Sequence, residues 1–80
     1  MQIATEIYRA ARRRFEAQIE ECVERVLGCS LAQGLESERV STHSGQVFVD
    51  GRQVCYVEPP RLIGLNVVWV FQDLTAQETH

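Results

Sequence analysis

Cys55, His43 and Glu58 supply the side chains of a nucleophile, a base and an orienting acid. That chemistry needs a reachable thiolate. Cys55 instead falls inside the apolar run Val54–Val57, where an inert, buried thiol is the ordinary outcome. Cys22, Cys29, His43 and His80 are the soft and borderline donors a metal would use. No C-x-x-C or H-x-x-x-H spacing joins them, and Cys22 lies on an apolar helical stripe, so no metal site is expected. Gly45 and Gly51 read as turn glycines and not as a phosphate-cradling loop. Asp50 and Asp73 are placed for turn and strand-end roles. No set of residues points to a reaction, a metal or a cofactor, and a non-enzymatic protein is expected.

The elements that would position these residues are legible. From Met1 to Leu27 there is neither Gly nor Pro. Met1, Ala4, Tyr8, Ala11, Phe15, Ile19, Cys22 and Val26 step by threes and fours along one stripe, with Ile7 and Val23 at its margins. This spacing predicts a helix over 2–27, closed by Gly28 in the left-handed conformation. Residues 28–39 form a connection in which Ser30 can cap a single turn ending at Gly34. From Val40 the pattern changes to strands. A short extended segment precedes Ser44-Gly45. Strands Gln46–Asp50 and Gln53–Val57 then flank a tight turn at Asp50-Gly51. The stretch EPPRLIG is expected to be a rigid loop, because neither Pro59 nor Pro60 can donate a ladder hydrogen bond. LNVVWVFQDL is the last strand, and residues 75–80 are expected to fray. The sum is one α+β domain over residues 1–80: a long N-terminal helix packed on a three- to four-stranded antiparallel meander spanning 40–74.

Each strand is apolar on both sides. With a two-residue turn, Val47, Val49, Val54 and Tyr56 share one face, and Phe48, Cys55 and Val57 the other. In the last strand Leu65, Val67, Trp69 and Phe71 oppose Val68, Val70 and Leu74. One helix covers one face, and the sequence does not say which. The other face is expected to be an interface, most simply with a second copy of the chain. Trp69, Phe71, Val68 and Val70 are its candidate contacts, with Trp69 the natural anchor.

The helix is also electrically lopsided. Arg9, Arg12, Arg13 and Arg14 precede Glu16, Glu20, Glu21 and Glu24, against the preference of the helix dipole. The pairs Glu6–Arg9, Arg12–Glu16 and Glu21–Arg25 are spaced to offset part of that cost. Arg12, Arg13, Arg14, Glu16, Glu20 and Glu24 are candidate partner-binding residues. Two such helices match when antiparallel, and alternatively the acidic half mimics nucleic acid towards a basic groove.

Net charge is −3, and all 8 basic residues are Arg. This balance argues against direct nucleic-acid binding. No stretch is apolar and long enough to span a bilayer as a helix, and no secretory signal is evident at the N-terminus. Three cysteines with no regular spacing fit reduced thiols in a cytosol. In size, acidity and lack of a catalytic set the chain resembles the small inhibitors that phages and other mobile elements encode against bacterial defence, the anti-CRISPR proteins among them. That resemblance implies stoichiometric binding to a defence complex such as a CRISPR effector. It carries no residue roles, because the group shares no motif. The alternative is a small adaptor subunit of a larger bacterial or phage assembly.

Overall fold

A computed structural model of the chain describes residues 3–75. The long helix α1 runs Ile3–Leu27 and ends at Gly28, whose φ is +77°. Gly28 N–H bonds Glu24 O at 2.9 Å, closing the last turn. A short helix α2, Leu31–Glu36, follows. Ser30 caps it, accepting from Gln33 N–H while the Gln33 side chain accepts from Ser30 N–H. Strands β1 (Val40–His43), β2 (Gln46–Val49), β3 (Arg52–Ile63) and β4 (Asn66–Asp73) form one antiparallel sheet in the order β1-β2-β3-β4. The fold is therefore α+β, with four strands and the long helix in front.

Both helices lie on the same side of the sheet. Phe15, Cys22, Val23 and Leu27 of α1 meet Val40, Val47, Val49, Val54, Cys55 and Val57 in the core. The apolar stripe is rotated from the expected one. Val23 sits at its centre, wholly buried, whereas Val26 is 42% exposed. Leu27 takes the place of Val26 because α2 folds back over it. At Gly34 a Cβ would lie 2.5 Å from Leu27 Cδ1 and 2.7 Å from Val40 Cγ2, so any larger residue would push these side chains aside where α2 closes this end of the core.

Two expectations for β3 are corrected, each by a bulge. Val47 pairs with Cys55 and Phe48 with Gln53, so Val54 is an extra residue. The extra residue turns both Val54 and Cys55 inward and reverses the alternation beyond it. Cys55 and Val57 consequently join Val47 and Val49 on the helix side, while Tyr56 joins Phe48 on the other. Further along, Glu58 pairs with Val70 and Arg61 with Val68. Pro59 and Pro60 together oppose Trp69. The bulge tolerates their missing N–H groups, and the strand continues where a loop was expected. Ser44 (φ +48°) and Gly45 (φ +83°) form a tight hairpin turn, which makes 40–43 a true strand.

Candidate interaction surfaces

The three residues with catalytic side chains lie on opposite sides of the sheet. Cys55 faces α1 and is 0% exposed. His43 pairs with Gln46 at the far end of β1, and Glu58 pairs with Val70; both point away from the helices. Burial, and then the neighbouring Cys22, push the Cys55 thiol up to about 12. At neutral pH it is a thiol and not a nucleophilic thiolate. Cys22 is raised too, first by burial and then by Asp73, and its Sγ lies 3.7 Å from Val54 O and 3.8 Å from Asp73 Oδ1. All three cysteines are free. Among the described residues no three of His, Cys, Asp and Glu converge as a metal cage, and His80 lies outside those residues.

Asp73 is a node that the sequence does not announce. Its Oδ1 accepts from the Thr75 hydroxyl and from Thr75 N–H at 2.9 Å, and its Oδ2 accepts from Arg25 Nη2 at 2.7 Å. These partners, Thr75 foremost and then Arg25, hold its carboxyl below the usual range against the effect of burial. Thr75 is thus tied down where a frayed end was expected, and residues 76–80 lie outside the described ones. A second ion pair, bidentate, joins Arg39 Nε and Nη2 to Asp50 Oδ1 and Oδ2 at 3.0 and 2.9 Å. It straps the β2–β3 turn to the start of β1 and pulls the Asp50 carboxyl down.

The helix charges divide into spoken-for and free. Arg12 reaches Glu16 at 3.4 Å and donates to Tyr8 Oη at 3.4 Å. Glu24 accepts from Leu31 N–H at 2.8 Å and so helps to hold α2 against α1. Arg25 pairs with Asp73 and not with Glu21 as its spacing suggested. Arg13, Arg14, Glu20 and Glu21 are exposed, and among the described residues they make no hydrogen bond or ion pair. Glu20 borders a shallow groove with Glu16, Ile19 and Leu31, on the β1 side of α1. Arg14 borders another with Ile7, Leu65 and Trp69, on the β4 side.

The four candidate β4 residues separate by parity. Trp69 and Phe71 face α1. The Trp69 ring meets Phe15 edge-on at a centroid distance of 5.8 Å, and Phe71 packs against the core. Val68 and Val70 face away and are 43% and 36% exposed. With them on the outer face are Phe48, Tyr56 and Ile63, among polar Gln46, Gln53, Glu58, Arg61 and Gln72. Tyr56 Oη donates to Glu58 Oε2 at 2.7 Å, which fixes the ring and raises the phenol's pKa. No described element lies over this face, so the helix side and the open side of the sheet are now distinguished.

An apolar cleft opens at the other end of the core, between Ile19, Leu31 and Leu35 and the sheet residues Thr42, Val57 and Pro59. It has no convergent polar groups to orient a ligand. What sequence reasoning missed is backbone, not side chain: the free edge of β4 and the groove beside it.

Among known proteins, no family model matches this chain, and neither does any curated protein or solved structure. Among the described residues no helix is long and apolar enough to cross a membrane.

Proposed function

We propose that this chain is a non-enzymatic protein-binding module that docks through the outer face of its sheet, and that it acts as a stoichiometric inhibitor of a bacterial defence complex. One observation carries the docking surface. Phe48, Tyr56, Ile63, Val68 and Val70 lie on a face that no described element covers, interleaved with Gln53, Gln72, Glu58, Arg61 and Asn66, in a chain whose two helices both occupy the other side. Aromatic and aliphatic anchors among polar residues suit a protein interface. The inhibitor reading is supported by small size, a net charge of −3 and a dipolar helix with exposed acids. Such a surface suits a partner that is itself basic because it handles nucleic acid.

The test is capture of purified defence effectors, CRISPR complexes included, on the immobilised wild type and on Val70→Glu. Retention by the wild type with loss in the folded variant supports the proposal. Retention of no effector, with equal behaviour of both proteins, overturns the inhibitor reading. The adaptor alternative then gains if Val70→Glu abolishes co-purification with a larger assembly.

A further inference from the structure

The sheet has two edges, and they are built differently. β1 is 4 residues long, and α2 packs beside it. β4 is 8 residues long, and its sequence NVVWVFQD has neither Lys nor Pro, the residues that usually blunt an exposed edge. Ile63 faces Asn66 across the β3–β4 turn, and Leu74 N–H bonds Val54 O at 3.0 Å. Alternate residues of an antiparallel ladder bond the neighbouring strand. The even-numbered residues of β4 therefore turn their backbone groups to β3. The N–H and C=O groups of Val67, Trp69 and Phe71 turn to the open side, where no described strand meets them.

Helix α1 runs alongside this edge. Ile7 lies by Leu65, and Arg25 binds Asp73. From Ile7 to Arg25 a helix advances about 27 Å, and from Leu65 to Asp73 an extended strand advances about 26 Å, so the two are nearly parallel. Two grooves lie between α1 and β4, bordered on the helix by Ile7, Ala10, Ala11 and Arg14 and by Gln18, Glu21, Cys22 and Arg25. Within this set Ile7, Ala11, Arg14, Gln18, Glu21 and Arg25 step by four and three, the spacing of a seam between two packed helices. Arg14 and Glu21 on that seam have no partner among the described residues.

From these placements we infer that a second copy of the chain adds to β4 edge to edge, antiparallel about a two-fold axis, giving one continuous sheet with the two α1 helices side by side. The axis lies half a strand spacing outside β4, and α1 packs over β3 and, less heavily, over β4. The helices then flank the joined β4 strands about 10–14 Å apart, within reach of their long Arg and Glu side chains. Arg14 borders a groove with Trp69, and Gln18 one with Phe71, so an axis through the middle of β4 would also cross the middle of the seam. Each Arg14 then comes beside Gln18 and Glu21 of the partner subunit, twice by symmetry. The Arg-first, Glu-second order of the helix, unfavourable within one chain, is complementary across an antiparallel pair. This pairing uses none of the outer-face residues, so it stands or falls apart from the docking proposed above.

The experiment joins light scattering at high micromolar concentration with residue-resolved amide exchange on the full chain. A dimer is expected, with the Val67, Trp69 and Phe71 amides protected and that protection lost on dilution. Arg14→Glu and Glu21→Arg should each weaken association about tenfold, and the double variant should restore it. Val67→Pro removes one edge donor and should give a folded monomer by circular dichroism. If that variant unfolds, the charge exchange still decides. A monomeric wild type overturns the inference and leaves the edge to an extended segment of another protein. A dimer whose edge amides exchange freely overturns it as well, and points to the outer face instead.

Discussion

Cys55 is wholly buried in the core. Its thiol ionises at about 12 in the folded chain, against about 8.5 when unfolded. The folded value is the higher, so its contribution to stability is fully present below about pH 8.5 and is lost as pH rises towards the folded value. Urea unfolding should show a loss of stability across that alkaline window, and Cys55→Ala should flatten it at a cost of about 1 kcal/mol at neutral pH. Alkylation should label half-exposed Cys29 in the native protein, and Cys22 and Cys55 only once it unfolds. Asp73 works in the opposite direction. Its carboxyl is held low by Thr75 and Arg25, so its contribution is present above the unfolded value of about 3.9 and is lost as pH falls through the folded one. Asp73→Asn should cost about 1–2 kcal/mol at neutral pH and make the protein less sensitive to acid, measured as the midpoint of denaturant unfolding.

At the scale of elements, the β2–β3 ladder holds the β1–β2 hairpin on β3, and Gly45 extends that contact into the turn. Gly45 O accepts from Val57 N–H at 2.8 Å, and a Cβ on Gly45 would stand 2.6 Å from Val57 O. Gly51 has the same φ of +83°, yet a Cβ there meets open space. Gly51→Ala should therefore cost only the left-handed strain, about 1 kcal/mol, and Gly45→Ala about 2–3 kcal/mol, because the turn and the start of β2 must lift from β3 as well. Thermal unfolding of the two variants gives the comparison. Equal losses would show that the turn conformation matters and the close approach does not.

The whole molecule is less compact than its length allows. The radius of gyration is 14.1 Å, whereas a chain of this length packs to about 12 Å when it closes on itself. α1 sets a long dimension of 43 Å, and one side of the sheet stays open. Charges placed on the two sides of β4 should therefore have different outcomes. Trp69→Glu puts a carboxylate against Phe15 and should unfold the domain. Val68→Glu places it on the outer face and should leave the circular dichroism spectrum intact. A Val68→Glu protein that unfolds as readily as Trp69→Glu would mean that the outer face is part of the core.

The sequence by itself determined the long helix, its glycine stop, the Asp50-Gly51 turn and the α+β class, because each rests on local spacing or on the conformational freedom of one residue. It also determined that both sides of the sheet carry large apolar residues, though polar ones interleave with them on the outer side. It could not say which side α1 takes, since the alternation in β3 is broken by Val54 and by Pro59-Pro60, and a bulge exists only relative to a partner strand. That is why Tyr56 changed sides with Cys55 and Val57, and why Val26 gave way to Leu27 once α2 closed over Gly34. Pairings between distant residues were equally hidden: Arg25 has a nearby Glu21 in sequence but binds Asp73 across the fold. The open edge of β4 and the charged seam beside it emerged only when α1 was laid along that strand, because an edge is a property of the assembled sheet and of no single segment in it.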